Sequence, residues 1–203
     1  IHVNFPNLLG EICNELSISK LVHLSAIGAN KDSQSRYQQS KFLGEQILLN
    51  NFSSTVILRP SVVVGEEDNF TNLFAKLSMF PVLPIVRGQY KFQPIYVEDI
   101  AKAIVKTFET QNNQGKIYEL GGYQQIKFID MIKLILKIIN KKRFIIDLPL
   151  SIAKLQSQIL ELLPGKPILT KDQCLILSES DNIVSGKYLT ISDLNIKPIA
   201  IEK

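Results

Sequence analysis

Two short apolar runs, each preceded by a helical stripe, set the limits on what this chain can fold into. Leu21-Val22-His23-Leu24 and Thr55-Val56-Ile57-Leu58-Arg59 are nearly continuous in apolar character rather than alternating, as strands are when helices cover both faces of their sheet. Ahead of the first run, residues 8, 9, 12, 13 and 16 are apolar at helical spacing, and Ser35 to Leu49 reads as a helix between the two runs. Helix, strand, helix, strand in this order belongs to an α/β fold with parallel strands and crossover helices. Beyond Gly65 the pattern predicts helices at 69–79, from Val97 to Phe108, at 128–140 and at 151–163, and strands at 116–120 and 143–147. Asp99 is expected to cap the helix it opens.

Composition removes several classes. With 45% hydrophobic and 21% charged residues the chain has the balance of a folded protein. No apolar run approaches the ~18 residues of a spanning helix, and no basic-then-apolar leader opens the chain, so a soluble intracellular protein is expected. Cys13 and Cys174 stand far apart outside any CxxC or Cys/His cluster, and His2 and His23 lack ligand spacing, so neither a disulfide framework nor a metal site is expected. The net charge of +4 has a single short basic cluster, Lys141-Lys142-Arg143, too little for a nucleic-acid footprint.

A dinucleotide-binding sheet usually carries G-x-G-x-x-G after its first strand, because only glycine lets the backbone approach a pyrophosphate. The ten glycines here contain no pair two apart, and none opens a G-x-x-x-x-G-K run. The most specific signal is instead Tyr37-Gln38-Gln39-Ser40-Lys41, which follows a strand ending at Ser25. Four residues make about one helical turn, so phenol and ammonium leave the same face. Bringing a tyrosine that ionises near 10 down to neutrality takes about 4 kcal/mol, and a lysine at ~4 Å in an effective dielectric of ~20 supplies that much. Such a pair, with the Ser25 hydroxyl holding a carbonyl oxygen, suits proton transfer beside a hydride carrier. A surface helix that happens to carry both residues, and a serine that only forms a turn, remain the alternatives.

The order strand–Ser25, Tyr37-x-x-x-Lys41 and Arg59-Pro60-Ser61-x-x-x-Gly65 resembles the extended short-chain dehydrogenase/reductase superfamily. It is nearest to the atypical branch that contains the NAD(P)H-binding accessory subunit of respiratory complex I. Val22 to Ala29, Ser35 to Glu45, Arg59 to Phe70, Gln93 to Asp99 and Leu163 to Gln173 carry the likeness. The resemblance implies a partial Rossmann-like, doubly wound parallel sheet, its second half only, with a small α/β C-terminal lobe. The expected division is 1–120, with an excursion at 66–94, and 121–203. It also implies Tyr37, Lys41 and Ser25 as the catalytic set, Lys41 at the nicotinamide ribose, and Arg59, Pro60, Ser61 and Val62 along the nicotinamide. The cofactor would be NADP or NAD. The glycine-loop half of the family is missing, which leaves the strand at 21–24 as a raw sheet edge and predicts poor NAD(P)H binding by this chain alone.

The function implied is an accessory or assembly protein of a respiratory NADH:quinone oxidoreductase with weak or no catalysis. Its partners would be complex I subunits, with no nucleic acid and no membrane span. It would be cytoplasmic, or peripheral at the inner membrane and on the matrix side in a eukaryote. The alternatives are an active NAD(P)-dependent epimerase, dehydratase or reductase acting on a nucleotide sugar or quinone precursor through Tyr37 and Lys41, and a decayed fragment without activity.

Overall fold

The computed structural model describes residues 1–153 and 169–201. The chain runs α1 (Asn4–Glu15), β1 (Leu21–Leu24), α2 (Arg36–Asn51), β2 (Thr55–Pro60), β3 (Val63–Val64), α3 (Asn69–Leu77), β4 (Val82–Val86), β5 (Lys91–Phe92), β6 (Ile95–Tyr96) and α4 (Val97–Glu109). It continues through β7 (Ile117–Leu120), β8 (Ile126–Lys127), α5 (Phe128–Ile138), β9 (Phe144–Leu148), α6 (Lys171–Ser178) and β10 (Leu189–Thr190) to a 3-10 turn at Ile191–Leu194. The helix expected at 151–163 lies outside the described residues apart from its first three, which are helical.

The main sheet has four parallel strands in the order β1-β2-β7-β10. Leu21 to Leu24 lie beside Thr55 to Leu58 in register and in the same direction. β2 is buried from Thr55 to Arg59, and its two faces do different work. Val56 and Leu58 enter a core with Ile100 and Ala103 of α4 and with Tyr118, Leu120, Ile191 and Leu194. Ile57 and Arg59, on the alternate positions, face α2. β1 closes one side of the sheet, paired among the described residues with β2 alone, and is only half-buried.

A second core sits beside this sheet. β4 pairs parallel with β9, and Phe70, Phe74, Phe92 and Phe128 pack ring against ring at 5.2–5.9 Å, with Ile132 and Ile135 of α5 in the same cluster. Aromatic groups at that spacing contribute beyond their buried area. The stretch 66–94 and the residues after 121 thus share two strand pairs, β4 with β9 in parallel and β5 with β8 antiparallel, while β10 returns to the main sheet beside β7.

Asp99 corrects the expectation placed on it. It lies buried in the first turn of α4 without capping the helix. Its carboxylate takes Lys102 Nζ at 3.0 Å and the backbone N–H of Ile199 at 2.7 Å, tying down the tail of the chain.

Candidate functional site

The strand order aims the C-terminal ends of β1 and β2 at the same corner. Past Leu24 the chain crosses toward β2, where Ser25 N–H donates to Leu58 O at 2.8 Å and Ile27 N–H to Pro60 O at 3.0 Å. Ser25 is buried there, and its hydroxyl has no hydrogen-bond partner. Buried hydroxyls are nearly always bonded, so this oxygen is free to meet a ligand group.

α2 lies over the corner. Ser35 caps it, accepting from Gln38 N–H, and a more distant residue completes the cap. The Asp172 carboxylate on α6 accepts from Ser35 Oγ at 2.7 Å and from the Arg36 and Tyr37 N–H groups at 2.8 and 3.2 Å. A negative charge there also complements the helix dipole. Glu179, at the other end of α6, accepts from Ser33 Oγ at 3.0 Å and Gln34 N–H at 2.6 Å. Both ends of α6 therefore hold the loop and first turn that present Tyr37.

Down one face of α2 run Tyr37, Lys41 and Glu45, four residues apart. Lys41 Nζ stands 5.8 Å from the Tyr37 ring centroid and reaches the Leu24 carbonyl at 3.4 Å, beside Ser25. Tyrosine, lysine and the Ser25 corner are thus brought together. Burial sets the electrostatics of this pair. Burial pushes the Tyr37 hydroxyl up from its ordinary value, and burial brings the Lys41 ammonium down, partly offset by Glu45. At this separation the lysine does not outweigh the lost hydration of a phenolate, so Tyr37 stays protonated at neutral pH.

The Arg-Pro turn is differently arranged from the implied cofactor edge. Arg59 Nε and Nη2 grip Glu45 Oε1 and Oε2 at 2.9 and 2.6 Å, both side chains almost wholly buried. The Tyr188 ring stacks on the guanidinium, 4.6 Å from Cζ. Burial works against the Arg59 charge, but the hydrogen bond and attraction of Glu45 outweigh it and raise its pKa. The Ser61 hydroxyl donates to Asn182, whose Oδ1 lies at 2.6 Å and also accepts from Val62 N–H at 3.1 Å. Pro60 and Val62 are half-buried along the turn. The side chains of Arg59 and Ser61 are committed inward, and what the turn offers a ligand is Pro60, Val62 and backbone.

Sequence reasoning assigned no role in the site to Glu45, Asp172, Glu179 or Asn182, although Glu45 and Asp172 lie in stretches that carry the family likeness. Glu45 could have been found, since it stands one turn beyond Lys41 on the same face. The other three act across more than a hundred residues and leave no local pattern.

His23 on β1 and His2 ahead of α1 complete the corner. His2 lies 3.0 Å through Nδ1 from Ser40 Oγ and meets the Tyr37 ring edge-on. Burial first, then the Lys41 charge, then His2, bring His23 down to about 4. The folded protein therefore binds this proton less readily than the unfolded chain, where histidine titrates near 6.5. Stability is full above pH ~6.5 and falls as pH drops toward 4, by on the order of 3 kcal/mol in all. His23→Gln should flatten that part of the profile, measured by urea unfolding at stepped pH. An unchanged slope would mean that carboxylates alone set it.

The residues fit one end of an NAD(P) cofactor: an unpartnered buried hydroxyl, an ammonium and a phenol share a corner. No described backbone segment carries the glycine spacing that a pyrophosphate requires.

The chain is 28% identical over its whole length to NADH dehydrogenase (ubiquinone) 1 alpha subcomplex subunit 9, mitochondrial, of Mus musculus, covering 54% of that protein. It is 30% identical over 89% of its length to the protein of the same name from Arabidopsis thaliana, covering 48%. It thus spans about half the length of the curated relatives it matches. Among solved structures, a dTDP-4-dehydrorhamnose reductase from Bacillus anthracis in complex with NADP superposes with a TM-score of 0.63 at 19% identity, over 86% of this chain and 69% of that one. These neighbours establish the α/β Rossmann-like fold. The profile of the RmlD substrate binding domain matches residues 28–158. That stretch holds the α2 face, the Arg-Pro turn and the α3–α5 core in one continuous match, and the chain belongs to the RmlD substrate-binding-domain family.

Proposed function

We propose that this chain is the nicotinamide-side portion of an NAD(P)-binding-type accessory protein of a respiratory NADH:quinone oxidoreductase, in which the cofactor pocket stabilises structure and hydride transfer is weak or absent. The observation that supports the reading beyond the relatives is the arginine of the turn, gripped through both its Nε and Nη2 by the buried Glu45 carboxylate and so withheld from the nicotinamide edge. When bound, NAD(P) would supply hydride chemistry. In this chain Lys41 would bind its ribose hydroxyls, and the Ser25 hydroxyl would face a carbonyl oxygen beside the nicotinamide. The half-buried edge of β1 and the outer face of α1, where Phe5, Leu8, Ile12 and Leu16 are exposed, suit a further β-α portion carrying the pyrophosphate site. We take residues 1–120, with the excursion 66–94, as the nucleotide-side unit and 121–203 as the lobe, whose β10 and 3-10 turn rejoin the main sheet. The place expected for it is peripheral to the membrane.

The second reading, an active reductase or epimerase using Tyr37 and Lys41, draws on the unpartnered Ser25 hydroxyl. Two measurements separate them. Fluorescence titration of the 203-residue chain with NADPH should give no micromolar binding, and the chain should co-migrate with complex I subunits on a native gel. A chain that elutes alone and oxidises NADPH at a rate lost in Tyr37→Phe would be an enzyme.

A further inference from the structure

The excursion 66–94 and the lobe together carry a surface that the cofactor corner does not use. β4 and β9 pair in register, Val82 beside Phe144 and Pro84 beside Ile146, and all four side chains are exposed on the outer face of this two-stranded ribbon. Leu83 and Ile85, on the alternate positions, fill the core behind it. Phe144 is 78% exposed, and Met79 and Phe80, leading into β4, are 71% and 55% exposed. Beside this face a concavity of about 620 Å³ opens between the last turns of α5 and the start of β9, with Lys133, Lys137, Lys141, Lys142 and Arg143 around it. Of these, Lys133 is offset by Asp130 at 3.1 Å, and Arg143 and Lys141 are braced on the Ser78 carbonyl and hydroxyl. Lys137 and Lys142 are exposed at its rim.

We infer that this face docks on an anionic phospholipid bilayer, with Phe144, Phe80 and Met79 seated at the headgroup–acyl boundary and the rim lysines on headgroup phosphates. Two exposed rim lysines, Lys137 and Lys142, backed by the braced Lys141 and Arg143 and set beside protruding apolar tips, suit a fluid interface, where lysines snorkel to the headgroups. A protein interface would favour Tyr, Trp and Arg and exclude Lys from its centre; four of the five cations here are lysines. Among the described residues no helix is long and apolar enough to cross a membrane, so contact through this patch is peripheral. The inference rests on charge and exposure alone and survives if the complex I assignment fails.

The test is sedimentation of the full chain with vesicles of phosphatidylcholine alone and of phosphatidylcholine mixed with phosphatidylglycerol. Binding is expected to the mixed vesicles, at least roughly tenfold tighter than to the neutral ones, and to weaken with salt. K137A/K142A should weaken it about 30-fold, from about 1 kcal/mol per lysine, and Phe144→Ser should weaken it further. Lys116→Ala, far from the patch, should leave it unchanged, and all variants should keep the parent unfolding curve. Equal binding to both vesicles, no binding, or a K137A/K142A chain that binds like the parent would overturn the inference. So would retention of an acidic protein by this patch in place of vesicles.

Discussion

Replacing Glu45 by alanine should destabilise the chain by about 3–5 kcal/mol, one of the two largest losses expected of any substitution in it. Glu45 is fully buried on the inner face of α2, and both its oxygens are taken by Arg59. Truncating it leaves a guanidinium that cannot lose its proton almost wholly buried and without its counter-charge. The pair is not needed for stability in itself, because two well-packed apolar residues of similar volume often do as well as a buried ion pair. The double variant E45L/R59M should therefore recover most of what Glu45→Ala loses. Urea unfolding of the parent, the single and the double variant measures this, with midpoint and slope read separately. A loss below about 1 kcal/mol in the single variant would mean that Arg59 swings out to solvent and that the corner is looser than its geometry suggests. The pair also explains why an arginine placed at the nicotinamide edge by sequence order does not present its charge there. Residue order puts Arg59 at the end of β2, but strand alternation decides which way it points, and that way leads to α2.

The same contrast separates what was legible in the sequence from what was not. β1, β2, α4 and α5 announce themselves because burial imposes a local apolar pattern, as in the run from Thr55 to Leu58 or the spacing of Ile132, Ile135 and Leu136, whereas α2 buries Gln38, Gly44 and Glu45 beside Leu48 and is marked by its Ser35 cap. β4 does not, because Pro81 and Pro84 read as a break. Pro84 is tolerated where β4 pairs only with β9 among the described residues, so that one edge needs no donor. β10 has two residues, too few to show a period, yet it completes the main sheet. In the site, Tyr37 and Lys41 are legible as a pair one turn apart, and Ser25 as the end of a strand. The protonation of Tyr37 is not, because it depends on how much water the fold removes. The contributions of Asp172, Glu179 and Asn182 are legible only in three dimensions. Asp172 and Glu179 explain why α6 matters to a corner more than 130 positions earlier: they satisfy the N–H groups that would otherwise fray the turn bearing Tyr37.

Gly122→Ala should cost about 3 kcal/mol or more, although it adds only a methyl group. Gly122 follows β7 at the point where the sheet meets the Gln93-Pro94 segment. Its N–H donates to Gln93 O at 2.9 Å, and Gln93 Nε2 returns a bond to its carbonyl at 3.0 Å. A Cβ at this position would collide with the Pro94 carbonyl. That atom is backbone, and it cannot move without loosening the bonds that surround it. Gln93 Oε1 accepts from Val184 N–H at 3.2 Å, and the Gln93 N–H donates to Asn182 O, the residue that also holds Ser61 and Val62. A shift of Pro94 therefore reaches the Arg-Pro turn through two successive contacts. Gly186→Ala is the control, since a Cβ there meets nothing within 4 Å and only the positive φ of 73° opposes it, a penalty of about 1–2 kcal/mol. Thermal unfolding should rank Gly122→Ala well below Gly186→Ala. If the two are equal, the close approach at Pro94 is relieved by a small backbone adjustment, and the junction does not couple the sheet to the turn.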